Sequence, residues 1–293
     1  MRKNLNRKLK EKVLNNLKVN KVLVVLGARR VGKTELIKDV IQELKASKQP
    51  ELKFLLLNGE DEDTHELLKN RTVRNYERLL GQTRLLIIDE AQAIPDIGTK
   101  LKLMVDSIEG LKILVTGSSV FDLENKLGEP LVGRKKTFLM YPLAQLEFAE
   151  YENRIETKSK LEERLIFGAH PELEQLENST DKVDYLKEQV NSYLLKDILA
   201  YEGIKKREKI ISLLRIIAFR IGSEVSIEGI GNELQIGKNT VDKYLDLLSK
   251  VFIIHKVTGF SRNLDNEITK KSKWYFYDNG IRNALINNFN SLN

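Results

Sequence analysis

Residues 22–36 read VLVVLGARRVGKTEL, and this stretch decides the fold. Val22 to Leu26 form an unbroken apolar run, the pattern of a strand buried on both faces of a parallel sheet and not of a half-solvated one. Gly27, four further residues and Gly32-Lys33-Thr34 then fit G-x-x-x-x-G-K-[ST]. Leu36, Ile37, Val40, Ile41 and Leu44 follow at the spacing of one helix face. A strand, a glycine-bounded loop and a helix in that order make a phosphate-binding loop: backbone N–H groups converge on phosphate oxygens and the helix N-terminus adds a favourable dipole. The reading selects Gly27, Arg29, Arg30, Val31, Gly32, Lys33, Thr34 and Glu35 as nucleotide-binding residues. Lys33 reaches the β- and γ-phosphates, and Thr34 offers its hydroxyl to magnesium.

Further along, the apolar run Leu85 to Ile88 ends in Asp89-Glu90. This places two carboxylates at the C-terminal edge of a buried strand, where open α/β sheets bind ligands. It is a Walker B arrangement, with Asp89 a magnesium ligand through water and Glu90 the base that orients and deprotonates an attacking water. Three more strands are expected, at 53–57, 112–116 and 136–140, completing a doubly wound α/β sheet. The fourth of the five ends in Thr116-Gly117-Ser118-Ser119, small polar residues able to sense a γ-phosphate. Of these Ser118 is the selected candidate, although a turn after a strand explains the composition equally well.

The rest of the composition narrows the classes. The 293 residues, 41% of them hydrophobic, suffice for two domains, each with its own core. Zero cysteines exclude disulfides and thiolate metal sites, and His65, His170 and His255 are too scattered to suggest a ligand cluster. A formal charge of +7 permits nucleic-acid contact without requiring it. No apolar run approaches the roughly 20 residues of a membrane span, and the basic start MRKNLNRKLK leads into polar residues and not a signal-peptide core. A cytoplasmic protein with no membrane partner is expected. Within residues 2–18, Leu5, Leu9, Val13 and Leu17 recur every four residues, which predicts a basic amphipathic helix packed on the core with its charges solvated; a membrane-surface helix is the minor alternative.

Several stretches together carry a family resemblance. GARRVGKTEL, LLIIDEAQ, ILVTGSS, LVGR at 131–134 and YPLAQLEF at 141–148 resemble the prokaryotic AAA+ superfamily ATPases that carry a C-terminal domain of unknown function. GAHPELE at 168–174, SYLLKDI at 192–198, the run from 213 to 257 and WYFYDNGIRNAL at 274–285 extend the resemblance over nearly the whole chain. It implies ATP-dependent chemistry in a molecular switch. It also implies that Arg134 is a γ-phosphate or finger arginine, acting in cis or in trans, where the residues alone read as a basic surface turn. Gln92 falls in the family's Asp-Glu-x-Gln pattern, which implies that it positions a water or transmits the nucleotide state, while capping of the following helix explains it equally well. Members commonly continue for about another hundred residues into a nuclease-like half, so the resemblance leads us to expect a truncated chain and argues against a nuclease role.

The domains expected are an ATPase core at 1–141, a helical lid or linker at 142–204 and a winged-helix-like α+β region at 205–293. Ile227, Ile230 and Leu234 share one helix face, Gln235-Ile236-Gly237 makes a turn, and Lys238–Lys250 forms a second helix with Val241, Leu245 and Leu248 inward. FIIHKV and residues 273–277 would form the wing. The outward Lys238, Asn239, Asp242, Lys243 and Asp246 of the second helix include two carboxylates, which count against a nucleic-acid groove, whereas Lys205-Lys206-Arg207 and Lys270-Lys271 could meet phosphate. The readings left open are a Mg²⁺-dependent ATPase and a nucleotide-gated adaptor with negligible hydrolysis. The expected partners are ATP, duplex DNA through 205–293, and further copies of the chain.

Overall fold

A computed structural model describes residues 5–47, 52–118, 130–194, 207–259 and 272–292. The chain divides into two compact units, Leu5–Tyr141 and, apart from the first four residues, Pro142–Asn293.

The first unit is built on five parallel strands: β1 (Lys21–Leu26), β2 (Phe54–Asn58), β3 (Leu85–Asp89), β4 (Lys112–Gly117) and β5 (Lys135–Leu139). Their spatial order is β2-β3-β4-β1-β5, so β1 runs between β4 and β5 with Leu26 level with Gly117 and Leu139. Val22 to Leu26 and Leu85 to Ile88 are almost wholly buried, as continuous apolar runs in a covered parallel sheet must be. Edge strand β5 alternates loosely and leaves Leu139 exposed. The covering helices are α1 (Leu9–Asn16), α2 (Lys33–Ala46), α3 (Glu62–Lys69), α4 (Val73–Leu80) and α5 (Ile97–Ser107). Val13 and Leu17 of the N-terminal segment join Leu36, Ile37 and Val40 of α2 in the core on one side of the sheet. Helix α1 is shorter than the expected one, and one of the charges ahead of it, Arg7, is buried and not solvated.

The second unit begins with α6 (Gln145–Phe148), α7 (Arg154–Ser159), α8 (Leu161–Phe167) and α9 (Ser179–Glu188), which continues as a π-helical turn. Then come α10 (Arg207–Phe219), β6 (Glu224–Val225), α11 (Ile227–Leu234), α12 (Lys238–Lys250), β7 (Ile254–Val257), β8 (Ser272–Phe276) and α13 (Asn279–Leu285). Strand β8 lies between β6 and β7, antiparallel to both; the two-residue β6 carries too short a pattern to be read from sequence. Ile230, Val241, Leu245 and Leu248 are fully buried in one core with Leu213, Ile217 and Trp274, and Lys238, Asn239, Asp242, Lys243 and Asp246 are exposed. Ser226 Oγ accepts from Gly229 N at 3.1 Å, capping α11.

GAHPELE and YFYDNG, over a hundred residues apart, meet in this unit. Asp278 accepts from Ala169 N at 2.8 Å and caps α13 through Ile281 N at 3.2 Å, while Asn283 Nδ2 donates to Ile166 O at 2.7 Å at the end of α8. Buried polar groups bonded in this way fix how two helices join. Lys205, Lys206, Lys270 and Lys271 lie outside the described residues. Among the described residues no helix is long and apolar enough to cross a membrane.

Candidate functional site

The C-terminal edge of the first sheet gathers the loop after β1, the end of β3 and the end of β4. Gly27 is needed there because a backbone passes too close for any side chain. A Cβ on it would lie 2.2 Å from Met140 O, the carbonyl just past β5. Gly32 is needed for a different reason, its φ of +97°, a left-handed conformation at the start of α2.

Within the loop, the Lys33 ammonium is 4% exposed and donates to Gly27 O and Ala28 O, each at 3.1 Å, with Glu90 Oε1 at 3.4 Å. Thr34 Oγ1 donates to Asp89 Oδ2 at 2.6 Å. The other Asp89 oxygen accepts from Thr116 Oγ1, and Thr116 Oγ1 accepts in turn from Glu90 N at 3.1 Å. Fully buried Thr116 thus ties the two carboxylate residues to the end of β4. Gln92 Nε2 donates to Glu90 Oε2 at 2.5 Å and to Ser118 Oγ at 3.0 Å. The structure therefore brings Gly27, Gly32, Lys33, Thr34, Asp89, Glu90, Gln92 and Ser118 to one place. Thr116 is the hydroxyl that the selection of Ser118 passed over.

Electrostatics distinguish Glu90. Burial alone would raise its carboxyl pKa, but the Lys33 charge beside it, the Gln92 and Lys33 hydrogen bonds and the more distant Arg29 outweigh burial and hold it below the ordinary carboxylate value. An ionised carboxylate next to the loop lysine suits a base and not an acid. Its backbone is left-handed, at φ 50° and ψ 46°, a costly conformation for glutamate of the kind that collects at functional sites.

Val31 is buried in the core, and Arg29 and Arg30 sit on the loop, Arg30 exposed with φ 61°. The Glu35 carboxylate is mostly exposed and pairs with Lys38 Nζ at 2.6 Å, away from the groups gathered here.

Arg134 is not at this site. Its carbonyl accepts from Val22 N at 2.9 Å, which fixes it beside the start of β1, at the opposite edge of the sheet from the loop. Five residues at about 3.3 Å each separate the two edges by about 16 Å, beyond the reach of an arginine side chain. Its guanidinium instead bonds Asp106 Oδ1 at 2.5 Å. A γ-phosphate role within the same copy is thereby excluded.

The metal expectation can be tested on donor chemistry. The Thr34 hydroxyl and the Asp89 carboxylate converge on each other at 2.6 Å, an oxygen-only pair of the kind Mg²⁺ accepts, so the residues fit it.

Residues 19–149 match the family model described as an AAA domain, and residues 158–292 match that of a domain of unknown function. An uncharacterized protein of Methanocaldococcus jannaschii is 27% identical over 281 residues, spanning 86% of this chain and 61% of that protein. One of Haemophilus influenzae is 25% identical over 287 residues, spanning 90% of this chain and 69% of that one. Against the first of these, the chain spans less than two thirds of its relative's length. Among solved structures, the replication initiator DnaA bound to AMPPCP and single-stranded DNA aligns over 83% of this chain and 86% of its own, with 16% identity and a TM-score of 0.39. A signal transduction ATPase with numerous domains from Pyrococcus horikoshii aligns over 97% of this chain and 43% of its own, with 15% identity and a TM-score of 0.39. The first half of the chain is an AAA+-type P-loop domain, and it is followed by a domain of unknown function.

Proposed function

We infer that the chain binds ATP with Mg²⁺ and hydrolyses it, and that nucleotide state is relayed to the second unit. The observation that carries the hydrolytic half is the Lys33–Glu90 pair at 3.4 Å: a carboxylate kept ionised sits beside the cation that would draw in the γ-phosphate. Thr34 and Asp89 would hold Mg²⁺, which when bound neutralises phosphate charge. The loop N–H groups bind and orient the phosphates, Glu90 takes the proton of the attacking water, and Gln92 with Ser118 fixes the Glu90 carboxylate that does so.

In the second unit, α11 and α12 in helix-turn-helix order, with β7 and β8 paired behind them, support the winged-helix reading and with it contact to duplex DNA. Exposed Asp242 and Asp246 on α12 count against a groove-reading helix, so backbone phosphate contact is the form that this reading takes. A lid role for 142–204 and assembly of several copies complete the proposal.

The test is titration of a fluorescent ATP analogue with and without Mg²⁺, on the unaltered chain and on Lys33→Ala. Magnesium-strengthened binding that Lys33→Ala abolishes supports the reading. Equal signals from both proteins would sink it.

A further inference from the structure

We propose that Arg7, which lies outside both family-matched ranges, is a positioning residue of the nucleotide site that clamps the phosphate loop from behind. The inference rests on the nucleotide-binding reading above and extends it to the N-terminal segment.

Arg7 is 6% exposed although its neighbour Lys8 points to solvent. A buried cation is costly without partners, and those of this one include two backbone carbonyls: Nη1 donates to Val31 O at 2.5 Å and Nη2 to Tyr141 O at 2.6 Å. Val31 belongs to the loop and immediately precedes Gly32. In a planar trans peptide the C=O and the following N–H point in opposite directions. Holding the Val31 carbonyl toward Arg7 therefore points the Gly32 N–H the opposite way within the same peptide plane.

That peptide needs holding. Gly32 has no Cβ and visits positive and negative φ with similar ease, so nothing intrinsic to it maintains the +97° that opens α2. The Val31 side chain, fully buried with Val13 and Leu17, anchors one end of the peptide, and the Arg7 bond fixes its rotation. The second carbonyl adds a reference point. Tyr141 follows Met140, whose N donates to Leu26 O at 2.6 Å and whose carbonyl crowds Gly27. Both ends of the loop, Gly27 and Val31, are thus fixed against the same two residues past β5. Lys33 meanwhile holds the Gly27 and Ala28 carbonyls from within the loop. Two cations thus engage different loop carbonyls, Arg7 that of Val31 and Lys33 those of Gly27 and Ala28, an arrangement that orients loop N–H groups for an anion.

The experiment uses the full chain and three variants, Arg7→Ala, Arg7→Lys and Val13→Ala. Dissociation constants for a fluorescent ATP analogue with Mg²⁺ are read with thermal midpoints, and hydrogen exchange is followed at residues 27–36. Arg7→Ala is expected to weaken binding about tenfold or more and to speed exchange in the loop while β1 and β4 stay protected. Arg7→Lys, which cannot span two carbonyls with separate nitrogens, falls between Arg7→Ala and the unaltered chain. Val13→Ala loosens the apolar packing around α1 and the Val31 side chain but leaves both Arg7 bonds in place, so its midpoint drops while its affinity falls less than that of Arg7→Ala. If Arg7→Ala does not fold, Arg7→Lys decides: a weakened site with accelerated loop exchange supports the clamp, and wild-type behaviour overturns it. Affinity lost by Val13→Ala in proportion to its midpoint would equally overturn it, because Arg7 would then be one more packing residue. No binding by the unaltered chain would overturn the nucleotide reading and this inference together; binding unchanged by Arg7→Ala and Arg7→Lys overturns this one alone.

Discussion

The Thr34 hydroxyl donates to the Asp89 carboxylate at 2.6 Å, joining the end of the phosphate loop to the end of β3 across 55 residues of sequence. Both residues are the proposed Mg²⁺ holders, so Thr34→Ala and Asp89→Asn should weaken nucleotide binding in the presence of magnesium by about tenfold or more and change it little in its absence. Titrations at matched ionic strength check this. Equal losses with and without magnesium would mean that the pair only braces the loop.

Thr116→Val keeps the shape of a fully buried side chain and removes its hydroxyl. The Glu90 N–H and one Asp89 oxygen then lose their shared partner, at a cost of about 1–3 kcal/mol in stability. Denaturant unfolding measures that cost, and Thr116→Ser should recover most of it.

Gly27→Ala forces a Cβ toward Met140 O, with 2.2 Å where van der Waals contact needs far more. Because the obstacle is backbone between two paired strands, we expect a loss of about 1–3 kcal/mol or more and a disturbed loop. A thermal midpoint and nucleotide affinity both equal to the unaltered chain's would contradict this packing.

Arg134→Ala should leave ATP affinity of the dilute protein within about twofold, since the guanidinium lies on Asp106 at the far edge of the sheet. Asp106→Ala should behave alike. A tenfold loss at low concentration would mean that the edge assignment is wrong.

What the sequence made legible, and what it did not, follows from how each residue signals. The runs at 22–26 and 85–88 could only be strands covered on both faces, and the loop and carboxylate motifs place Lys33, Thr34, Asp89 and Glu90 by spacing alone. Arg7 was hidden because a basic residue in a basic amphipathic segment looks solvated; the partners that accompany its burial include carbonyls 24 and 134 residues away. Thr116 sat inside a buried strand, where a hydroxyl gives no periodic signal. Arg134 carried its own correction unread: it precedes β5, and parallel strands all begin at the edge away from the loop. The Asp278 and Asn283 joint needed contacts across more than a hundred residues, which motif order suggests and spacing cannot supply.

The Glu90 carboxylate carries a pH prediction. Burial would raise its pKa, yet the Lys33 charge, the Gln92 bond and Arg29 bring it below the usual value of about 4.3. For a carboxyl depressed in the folded state, the stabilising contribution is present above the unfolded-state pKa and disappears as pH falls through the folded one. The midpoint gap between the unaltered chain and Glu90→Gln should therefore be open at neutral pH and close in acid. A gap constant from pH 7 to below the carboxylate range would contradict the pairing.

The most direct measurement of the central claim is ATP turnover by Glu90→Gln beside its ATP affinity. The account predicts that binding persists, within about threefold, while hydrolysis falls by about a hundredfold or more, because the loop is intact and the base is gone. Hydrolysis at the unaltered rate by Glu90→Gln would contradict it and leave ATP as a ligand of the loop and not as its substrate.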